Sequence, residues 1–595
     1  MILYPPIHDY ALIGDCRTGA LISSRGSIDW LCLPRFDSPS CFNRLLDWNQ
    51  GGYCDIHPTS FFRTRRWYRP NTAVLTTEFL TADGRAQLTD LMPIAADSRQ
   101  THMSPLRQVL RRIEGVEGTV EFSLTIKPRP DDGRTIPHFQ TRGRAGYCAD
   151  FGGRMLFVAV NAPMDIAPGK LTANVTVTRG ETITLWMAYA EDAPAVYPCL
   201  DMATKVIDEA QAYWIGWTNH CRYTGPSREQ VLRSAITLKL LSYAPSGAIV
   251  AAPTTSLPER FGGDLNWDYR YCWLRDASFT SQAFFRLGFE AEAVAFTHWM
   301  THATTLTNPK LQVMYTLHGE ASIPERSWPL FEGYRHSLPV RFGNAAAQQY
   351  QLDIYGEVLD SLMLYVEAGY PVDRDTRRWV VRVGNLLCTS WLYPDHGIWE
   401  VRGSPRHYVH SKVMCWVALD RVERLARRLG LSASTGAWTQ AREALIRTVL
   451  KTGYSNTRRS FVQVLGGTRL DAVALTFGLT GFINGRDPRM SSTITTIQRW
   501  LTRGPLVYRY LAEQETGREE GTFLPCSFWL VEALALAGRV AEAEDLLAQL
   551  NGCTNDLGLF PEEIRYGDGQ FLGNFPLTLT HATHLGALLR LYDKV

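Results

Sequence analysis

Three segments that are far apart in the sequence carry residues able to do acid–base chemistry. GIWEVRG contains Glu400, GLFPEEIRY contains the adjacent pair Glu562 and Glu563, and WDYRYCWLRDA contains Asp276. Two separated carboxylates that act without a cofactor are typical of glycoside hydrolysis. One carboxylic acid protonates the leaving oxygen, and one carboxylate acts on water or on the anomeric carbon. This chemistry requires that the fold bring the segments together.

Helical periodicity dominates the chain after Gly225-Pro226. We predict about twelve helical segments from this periodicity, and they start near 227, 276, 290, 345, 374, 409, 435, 468, 489, 525, 540 and 577. Every second connection is long and rich in Gly, Pro and aromatic residues, at roughly 244–275, 304–344, 392–408, 453–467, 504–524 and 553–576. If successive helices run antiparallel, all the long loops lie at one end. Helical hairpins that close into a ring then form an (α/α)6 barrel with an elaborated mouth, and the three carboxylate segments lie in the loops of that mouth.

The N-terminal part of the chain has the alternating pattern of half-buried strands. Val120, Phe122, Leu124 and Ile126 alternate with polar residues, and Asp83-Gly84 is a hairpin signal. A chain of 595 residues is long enough for two domains. We therefore predict an antiparallel β-sandwich over 1–215, a linker over 216–226 and the barrel over 227–595.

Composition and charge exclude several functions. The net charge is +2 with no basic block, so we expect no nucleic-acid or membrane partner. We find no signal peptide and no apolar stretch near the ~20 residues that span a bilayer, which predicts a cytoplasmic protein. His581 and His584 have helical spacing but lack an evident third ligand, and the two-carboxylate mechanism works without a cofactor, so we predict no metal and no organic cofactor. The oligomeric state stays open, a homo-oligomer being one alternative.

Several long, ordered motifs resemble glycoside hydrolase family 15, the family of glucoamylases and of bacterial and archaeal trehalases. They are WDYRYCWLRDA, PVRFGNAAAQQYQLDIYGEVLD, GIWEVRG with PRHYVHSKVMCWVALDR, LFPEE and LGNFP. The N-terminal YPPIHDYALIGDCRTGALISSRGSIDW is similar to the sandwich of the bacterial members. The resemblance covers essentially the whole chain. It implies an inverting, exo-acting α-glucosidase on an (α/α)6 barrel.

The resemblance also implies roles for individual residues. By motif position, Glu400 is the general acid and Glu562 the general base, and the preference for Glu562 over Glu563 depends on the motif alone. The implied sugar-binding residues are Tyr269, Trp273, Arg275, Asp276, Trp399 and Arg402. Simpler structural roles compete with these: Asp276 as a helix cap, Arg275 as an ion-pair partner, and Tyr269 and Trp273 as wall packing.

Three further residues lie in mouth loops. His318, in MYTLHGE, stands where family members usually carry an acidic residue, in a loop that borders the expected leaving-group site. Glu519 and Glu520 also fall in a mouth loop, and we favour structure or an outer sugar contact over catalysis for them.

Two other functions compete with hydrolysis. An inverting disaccharide phosphorylase would use phosphate in place of activated water and would not need Glu562. A non-catalytic sugar-binding protein on the same scaffold would be expected to have lost Glu400 or Glu562, and both are present. A protein without an export signal does not meet extracellular starch, so we predict a small α-glucoside as substrate: trehalose first, then malto- or isomalto-oligosaccharides.

Overall fold

The computed structural model describes residues 4–94, 106–191, 197–431, 435–511 and 520–592. An N-terminal region of antiparallel strands is followed by a ring of helices, which confirms the predicted fold class. Among the helices of these residues, none combines the length and the apolar character needed to cross a membrane.

The N-terminal strands form two antiparallel sheets that share one long strand. The strands are β1 (Tyr10–Gly14), β2 (Gly19–Ser23), β3 (Ser27–Cys32), β4 (Ser40–Phe42), β5 (Tyr53–Pro58), β6 (Arg63–Tyr68), β7 (Leu75–Leu80), β8 (Gly84–Leu91), β9 (Gln108–Lys127), β10 (His138–Thr141), β11 (Tyr147–Asp150), β12 (Met155–Val160), β13 (Asp165–Ala167), β14 (Lys170–Thr178) and β15 (Thr182–Ala190). The first half of β9 pairs with β8 and β15, and its second half pairs with β5 and β14. The alternating apolar residues of β9 are buried, as predicted.

The helices of the C-terminal region form two concentric layers. The helices are α1 (Ala203–Thr218), α2 (Arg228–Leu240), α3 (Leu274–Leu287), α4 (Glu290–Ala303), α5 (Asp353–Glu367), α6 (Arg374–Ser390), α7 (Val409–Leu429), α8 (Thr435–Thr448), α9 (Pro488–Leu501), α10 (Leu524–Leu536), α11 (Val540–Asn551) and α12 (Thr578–Tyr592), with a 3-10 helix over Ala472–Phe477. Helices α3, α5, α7, the 3-10 helix, α10 and α12 pack on one another in this order, and α12 packs on α3. These helices are the inner ring, and α2, α4, α6, α8, α9 and α11 lie outside it. Inner α10 is buried along nearly its whole length, whereas outer α6 buries one face.

Two elements differ from the sequence prediction. Residues assigned to the strand region form most of α1, whose buried side chains recur at helical spacing: Ala203, Ile207, Ala210, Trp214 and Trp217. The predicted helix near 468 is the short 3-10 helix, which begins after Asp471, and the Asp471 side chain accepts a hydrogen bond from the Val473 N–H. The domain boundaries at 215 and 227 stay a prediction.

Each long connection leads into the N-terminus of an inner helix, so the long loops lie at one end of the barrel. Short strand pairs brace these loops: Thr255–Pro258 with Asn266–Asp268, Cys272–Trp273 with Met314–Tyr315, Arg326–Ser327 with Arg341–Phe342, Tyr454–Ser455 with Ser460–Phe461, Thr502–Arg503 with Leu506–Val507, and Glu563–Ile564 between Thr522–Phe523 and Phe571–Leu572. The sandwich supports the same end. Trp30 Nε1 donates to the Pro253 carbonyl at 2.8 Å, and Arg270 Nη1 donates to the Ser38 carbonyl at 3.0 Å.

Candidate active site

The mouth loops enclose a cavity of about 430 Å³, a size typical of small-ligand sites. The cavity is lined by all eight residues for which the family resemblance implies a catalytic or sugar-binding role: Tyr269, Trp273, Arg275, Asp276, Trp399, Glu400, Arg402 and Glu562. The three carboxylate segments thus meet in one place.

Glu400 lies in the loop before α7 and has a left-handed backbone conformation, with φ of 55°. Such a conformation is uncommon for a residue other than glycine and often marks a functional position. Trp273 Nε1 donates to Glu400 Oε1 at 2.8 Å, and Arg275 Nη2 donates to the same oxygen at 3.1 Å. Gln349 Nε2 holds the backbone carbonyl of Glu400 at 3.0 Å. Within the described residues no hydrogen bond reaches Oε2, which leaves this oxygen available to a proton.

Arg275, in the first turn of α3, fixes the loop of Glu400 to two inner helices. Its Nη1 donates to Asp353 Oδ2 at 2.9 Å and to Gln351 Oε1 at 3.1 Å, while Nη2 reaches Glu400. All of these side chains except that of Glu400 are buried. The guanidinium therefore compensates the buried charge of Asp353 and orients Glu400 at the same time.

Asp276 lines the cavity beside Arg275 and does not cap its helix. Helix α3 begins at Leu274, its N-cap residue is Trp273, and no side chain there makes a capping hydrogen bond. Burial raises the pKa of Asp276 to about 6, and the nearby Arg275 opposes this rise. An acid that is buried, not engaged in capping and open to the cavity is suited to accept hydrogen bonds from sugar hydroxyls.

Glu562 is 1% exposed and accepts a hydrogen bond on each oxygen. The Tyr269 hydroxyl donates to Oε1 at 2.8 Å, and the Asn574 N–H donates to Oε2 at 2.9 Å. Burial, and after it the charge of Glu259, raises the pKa of Glu562 to about 8. Gly573 has φ of 75°, and a Cβ at this position would lie 2.1 Å from Glu562 Oε2. Only glycine leaves room for the carboxylate here.

An aromatic pair connects the two carboxylates. The rings of Tyr269 and Trp273 meet edge to face, with centroids 5.3 Å apart. Tyr269 donates to Glu562, and Trp273 donates to Glu400. These rings therefore hold the two carboxylates apart within one cavity, a role that goes beyond wall packing.

Glu563 has a different environment from its neighbour in the sequence. It does not line the cavity, and its side chain is fully buried. Its Oε2 accepts from the Gly521 N–H at 3.0 Å, and its Oε1 lies 3.0 Å from Arg509 Nη2. Of the pair, only Glu562 can contact a ligand in the cavity.

Trp399, the neighbour of Glu400 in the sequence, is hydrogen-bonded to a different acid. The indole N–H of Trp399 donates to both carboxylate oxygens of Asp471 at 3.0 Å, and the indole that hydrogen-bonds Glu400 is Trp273. Trp399 still lines the cavity, and its ring packs edge to face on Phe523 with centroids 5.6 Å apart. It is a fixed wall beside the acid.

Arg402 lies at the open side of the cavity. It donates to Glu325 Oε2 at 2.6 Å, and its guanidinium lies 4.5 Å from the ring centroid of Trp267. Arg341 lies at the same distance from Trp267 and pairs with Glu325 at 3.4 Å. Trp267 and Arg341 line the cavity, and sequence reasoning had given neither a role.

The remaining histidines lie outside the cavity, and of the remaining acids Glu520 lines it. The imidazoles of His581 and His584 are buried and both contact Ser234 Oγ, at 3.0 and 2.9 Å. His318 is exposed, packs against Tyr243 and does not line the cavity. Glu520 lines the cavity, whereas Glu519 lies outside the described residues.

Within the described residues, no group of three or more His, Cys, Asp or Glu residues is arranged to hold a metal ion. Independence from metals and cofactors stays a prediction from the sequence.

Sequence reasoning missed the second layer of the site: Glu259, Asp353, Asn344, Arg509 and Tyr510. Asp353 lies inside the motif PVRFGNAAAQQYQLDIYGEVLD, so its position was available as a signal. Glu259 and Arg509 are single charged residues in long loops and carry no pattern of their own.

Comparisons with known proteins agree with this geometry. The model of "Glycosyl hydrolases family 15" matches residues 225–589, and the model of "Trehalase-like, N-terminal" matches residues 4–145. A trehalase of Thermoplasma volcanium is 34% identical over 97% of this chain and 92% of the relative. A trehalase of Mycolicibacterium smegmatis is 36% identical over 98% of this chain and 91% of the relative.

A solved structure supports the architecture. A bacterial glucoamylase complexed with acarbose superimposes with a TM-score of 0.73 over 99% of this chain and 94% of the glucoamylase, at 10% identity. At this identity the likeness establishes the fold alone.

Proposed function

Because the chain belongs to glycoside hydrolase family 15, we propose that this glycoside hydrolase is a trehalase that cleaves its substrate with inversion at the anomeric carbon. The observation that carries the proposal is the pair of carboxylates, Glu400 and Glu562, that face one small cavity. Two observations support trehalose as the substrate. The relatives are trehalases that align with this chain over nearly its whole length, and the N-terminal region matches a trehalase-like model.

The hydrogen bonds support distinct roles for the two carboxylates. Glu400 is the general acid: its Oε1 is fixed by Trp273 and Arg275, and its Oε2 is left to carry the proton that goes to the glycosidic oxygen. Glu562 is the general base. Both its oxygens accept hydrogen bonds, which favours the carboxylate form that takes a proton from water. Water attacks the anomeric carbon as the bond to the leaving oxygen breaks, so the proton lost by Glu400 is matched by the one that Glu562 gains.

The remaining cavity residues bind the two sugars in this proposal. Arg275 and Asp276 hold the hydroxyls of the glucose that is attacked, with Tyr269 and Trp273 against its ring. Trp399 and Arg402 lie beside the leaving glucose. Charged hydrogen bonds to hydroxyls strengthen in a closed pocket and contribute to turnover as well as binding.

Two experiments test the proposal. Release of glucose from trehalose, maltose, isomaltose and maltotriose is expected to be fastest from trehalose, and a clear preference for maltotriose would contradict the substrate. NMR of the first product from trehalose should show α- and β-glucose in equal amounts, because one glucose leaves unchanged and the other is inverted. Initial release of α-glucose alone would indicate retention and overturn the mechanism.

The separation of the two carboxyl groups is a further expectation of the mechanism. Inverting enzymes place them roughly 6.5–9.5 Å apart to admit water, whereas retaining enzymes place them about 5–5.5 Å apart. A crystal structure with a bound substrate analogue measures this distance.

The cytoplasmic location remains a prediction from the sequence, and a homo-oligomer remains one alternative. Cell fractionation tests the first, and size-exclusion chromatography with light scattering tests the second.

A further inference from the structure

A cluster of acids surrounds a single guanidinium beside Glu562. Arg509 Nη2 donates to Glu259 Oε2 at 2.7 Å and to Glu520 Oε2 at 2.9 Å, and it lies 3.0 Å from Glu563 Oε1. Glu259 and Glu563 are buried. One positive charge cannot balance all of these carboxyl groups in their ionised forms, and burial raises the pKa of both Glu259 and Glu563 while Arg509 lowers it.

Backbone hydrogen bonds place Glu259 next to the carboxylate of Glu562. Glu259 directly follows Pro258, whose carbonyl accepts from the Gly573 N–H at 2.9 Å. Gly573 is the residue that leaves room for Glu562 Oε2, and the next residue, Asn574, donates its N–H to that oxygen. Glu259 and Glu562 also line the same cavity. Glu259 and the proposed base, Glu562, are therefore held by adjoining turns of the chain.

Four charged or titratable groups act on Glu562 from the packed elements: Glu259, Arg509, Tyr269 and the neighbouring Glu563. After burial, Glu259 is the largest influence that raises the pKa of Glu562, while the Tyr269 hydroxyl, Arg509 and the Asn574 N–H lower it. A carboxylate whose charge is opposed by a like charge binds a proton more tightly. A base of higher proton affinity takes a proton from water more readily, provided that it is ionised when water attacks.

We propose that Glu259, fixed by Arg509, is a positioning residue that acts through Glu562 and strengthens it as the base for the attacking water. The inference rests on the proposed function, in which Glu562 is that base. Glu259 exchanges no proton with the substrate. Its negative charge raises the affinity of Glu562 for the proton that water gives up, at the cost of activity on the acid side, where Glu562 is already protonated.

The pH dependence of kcat/KM for α-glucosyl fluoride tests the inference, because this parameter reports ionisations of the free enzyme and the leaving fluoride does not need a protonated Glu400. In the wild type we expect the acid limb near the pKa of about 8 of Glu562. Glu259→Gln removes the charge and keeps the size, so the acid limb should move down by at least about one pH unit. On the alkaline plateau kcat/KM should fall several-fold, since the base is weaker. Glu259→Asp keeps the charge and should keep the limb near its wild-type position.

Glu520→Gln is the matched control, because Glu520 also accepts from Arg509 and lines the cavity. It should move the acid limb less than Glu259→Gln does. An equal shift in the two variants, or an unmoved limb in a folded Glu259→Gln enzyme, overturns the inference. If Glu259→Gln does not fold, Arg509→Gln replaces it. Loss of the positive charge should then move the limb to higher pH, and an unmoved limb again overturns the inference.

The outcomes separate this inference from the proposed function. If the Glu562→Gln enzyme stays active, Glu562 is not the base and the proposed function fails. If Glu562→Gln is inactive while Glu259→Gln leaves the acid limb in place, only the role of Glu259 fails.

Discussion

Glu400 and Glu562 lie on two walls of one cavity, and the walls have opposite character. The neighbours of Glu400 are donors, Trp273 and Arg275, and its side chain is 20% exposed. The neighbours of Glu562 include two further acids, Glu259 and Glu563, and its side chain is fully enclosed. Identical residue types are thus held in one cavity by opposite electrostatic surroundings.

This difference shows how one type of side chain can serve two roles. On the wall of Glu400, the cation fixes one oxygen, and no hydrogen bond from a described residue reaches the other. On the wall of Glu562, burial and Glu259 favour the protonated form, while two donors favour the carboxylate. The result is a carboxyl group with high proton affinity that is nevertheless oriented as an acceptor. In enzymes that use two such acids the one of higher pKa is the usual proton donor, so the roles proposed here depend on the family motif and on the hydrogen bonds, not on proton affinity.

The largest expected effect is that of Glu562→Gln. Water activation is lost whatever group leaves, so kcat should fall at least about a thousandfold for trehalose and for α-glucosyl fluoride alike. Steady-state kinetics on the two substrates measures this. Full activity on either substrate would contradict the role of the Glu562 wall.

Glu400→Gln should lower activity by an amount that depends on the leaving group, unlike Glu562→Gln. We expect a loss of about a hundredfold or more on trehalose, whose leaving glucose needs a proton. On α-glucosyl fluoride, whose leaving fluoride needs little protonation, the loss should stay within about tenfold. Equal losses on both substrates would mean that Glu400 does more than donate a proton.

The fold was accessible from the sequence, because helical and strand periodicities and alternating loop lengths are local patterns. The cavity was accessible through motifs that put Glu400, Glu562 and Arg275 into loops of one rim. The charges that distinguish the two walls could not be predicted from the sequence. Glu259 and Arg509 are 250 residues apart, and nothing in either segment indicates that they meet. The partner of Trp399 was also hidden, since adjacency to Glu400 in the sequence does not fix where an indole N–H points.

Asp276→Ala should have the next largest effect. Asp276 lines the cavity beside Arg275, and a charged hydrogen bond to a sugar hydroxyl can strengthen in the transition state. We expect kcat/KM for trehalose to fall by about a hundredfold, or roughly 2.7 kcal/mol of transition-state stabilisation. A near-normal value would leave Asp276 without a role in sugar recognition. Asp276→Asn is the conservative control and should lose less.

The last expected effect concerns stability and leaves turnover aside, so it distinguishes the walls without a substrate. Burial raises the pKa of Glu562 from its ordinary 4.5 to about 8, so the folded state binds this proton more tightly than the unfolded chain does. The resulting stability is fully present below pH 4.5 and is lost as the pH rises through about 8. The loss is on the order of 5 kcal/mol above pH 8 if no other group compensates.

Glu562→Gln removes this loss of stability at high pH, because glutamine carries no charge. The Gln carbonyl can accept from the Asn574 N–H, and its amide can donate to the Tyr269 hydroxyl, so neither partner is left unsatisfied. The melting temperature should therefore rise by a few degrees at pH 9 and change little at pH 5, in scans at one rate. Glu400→Gln should show no such gain at pH 9, because it removes a charge that Arg275 compensates and so leaves a buried cation less well paired. If both variants gain equally at pH 9, the two walls do not differ in charge balance, and the electrostatic contrast between them is wrong.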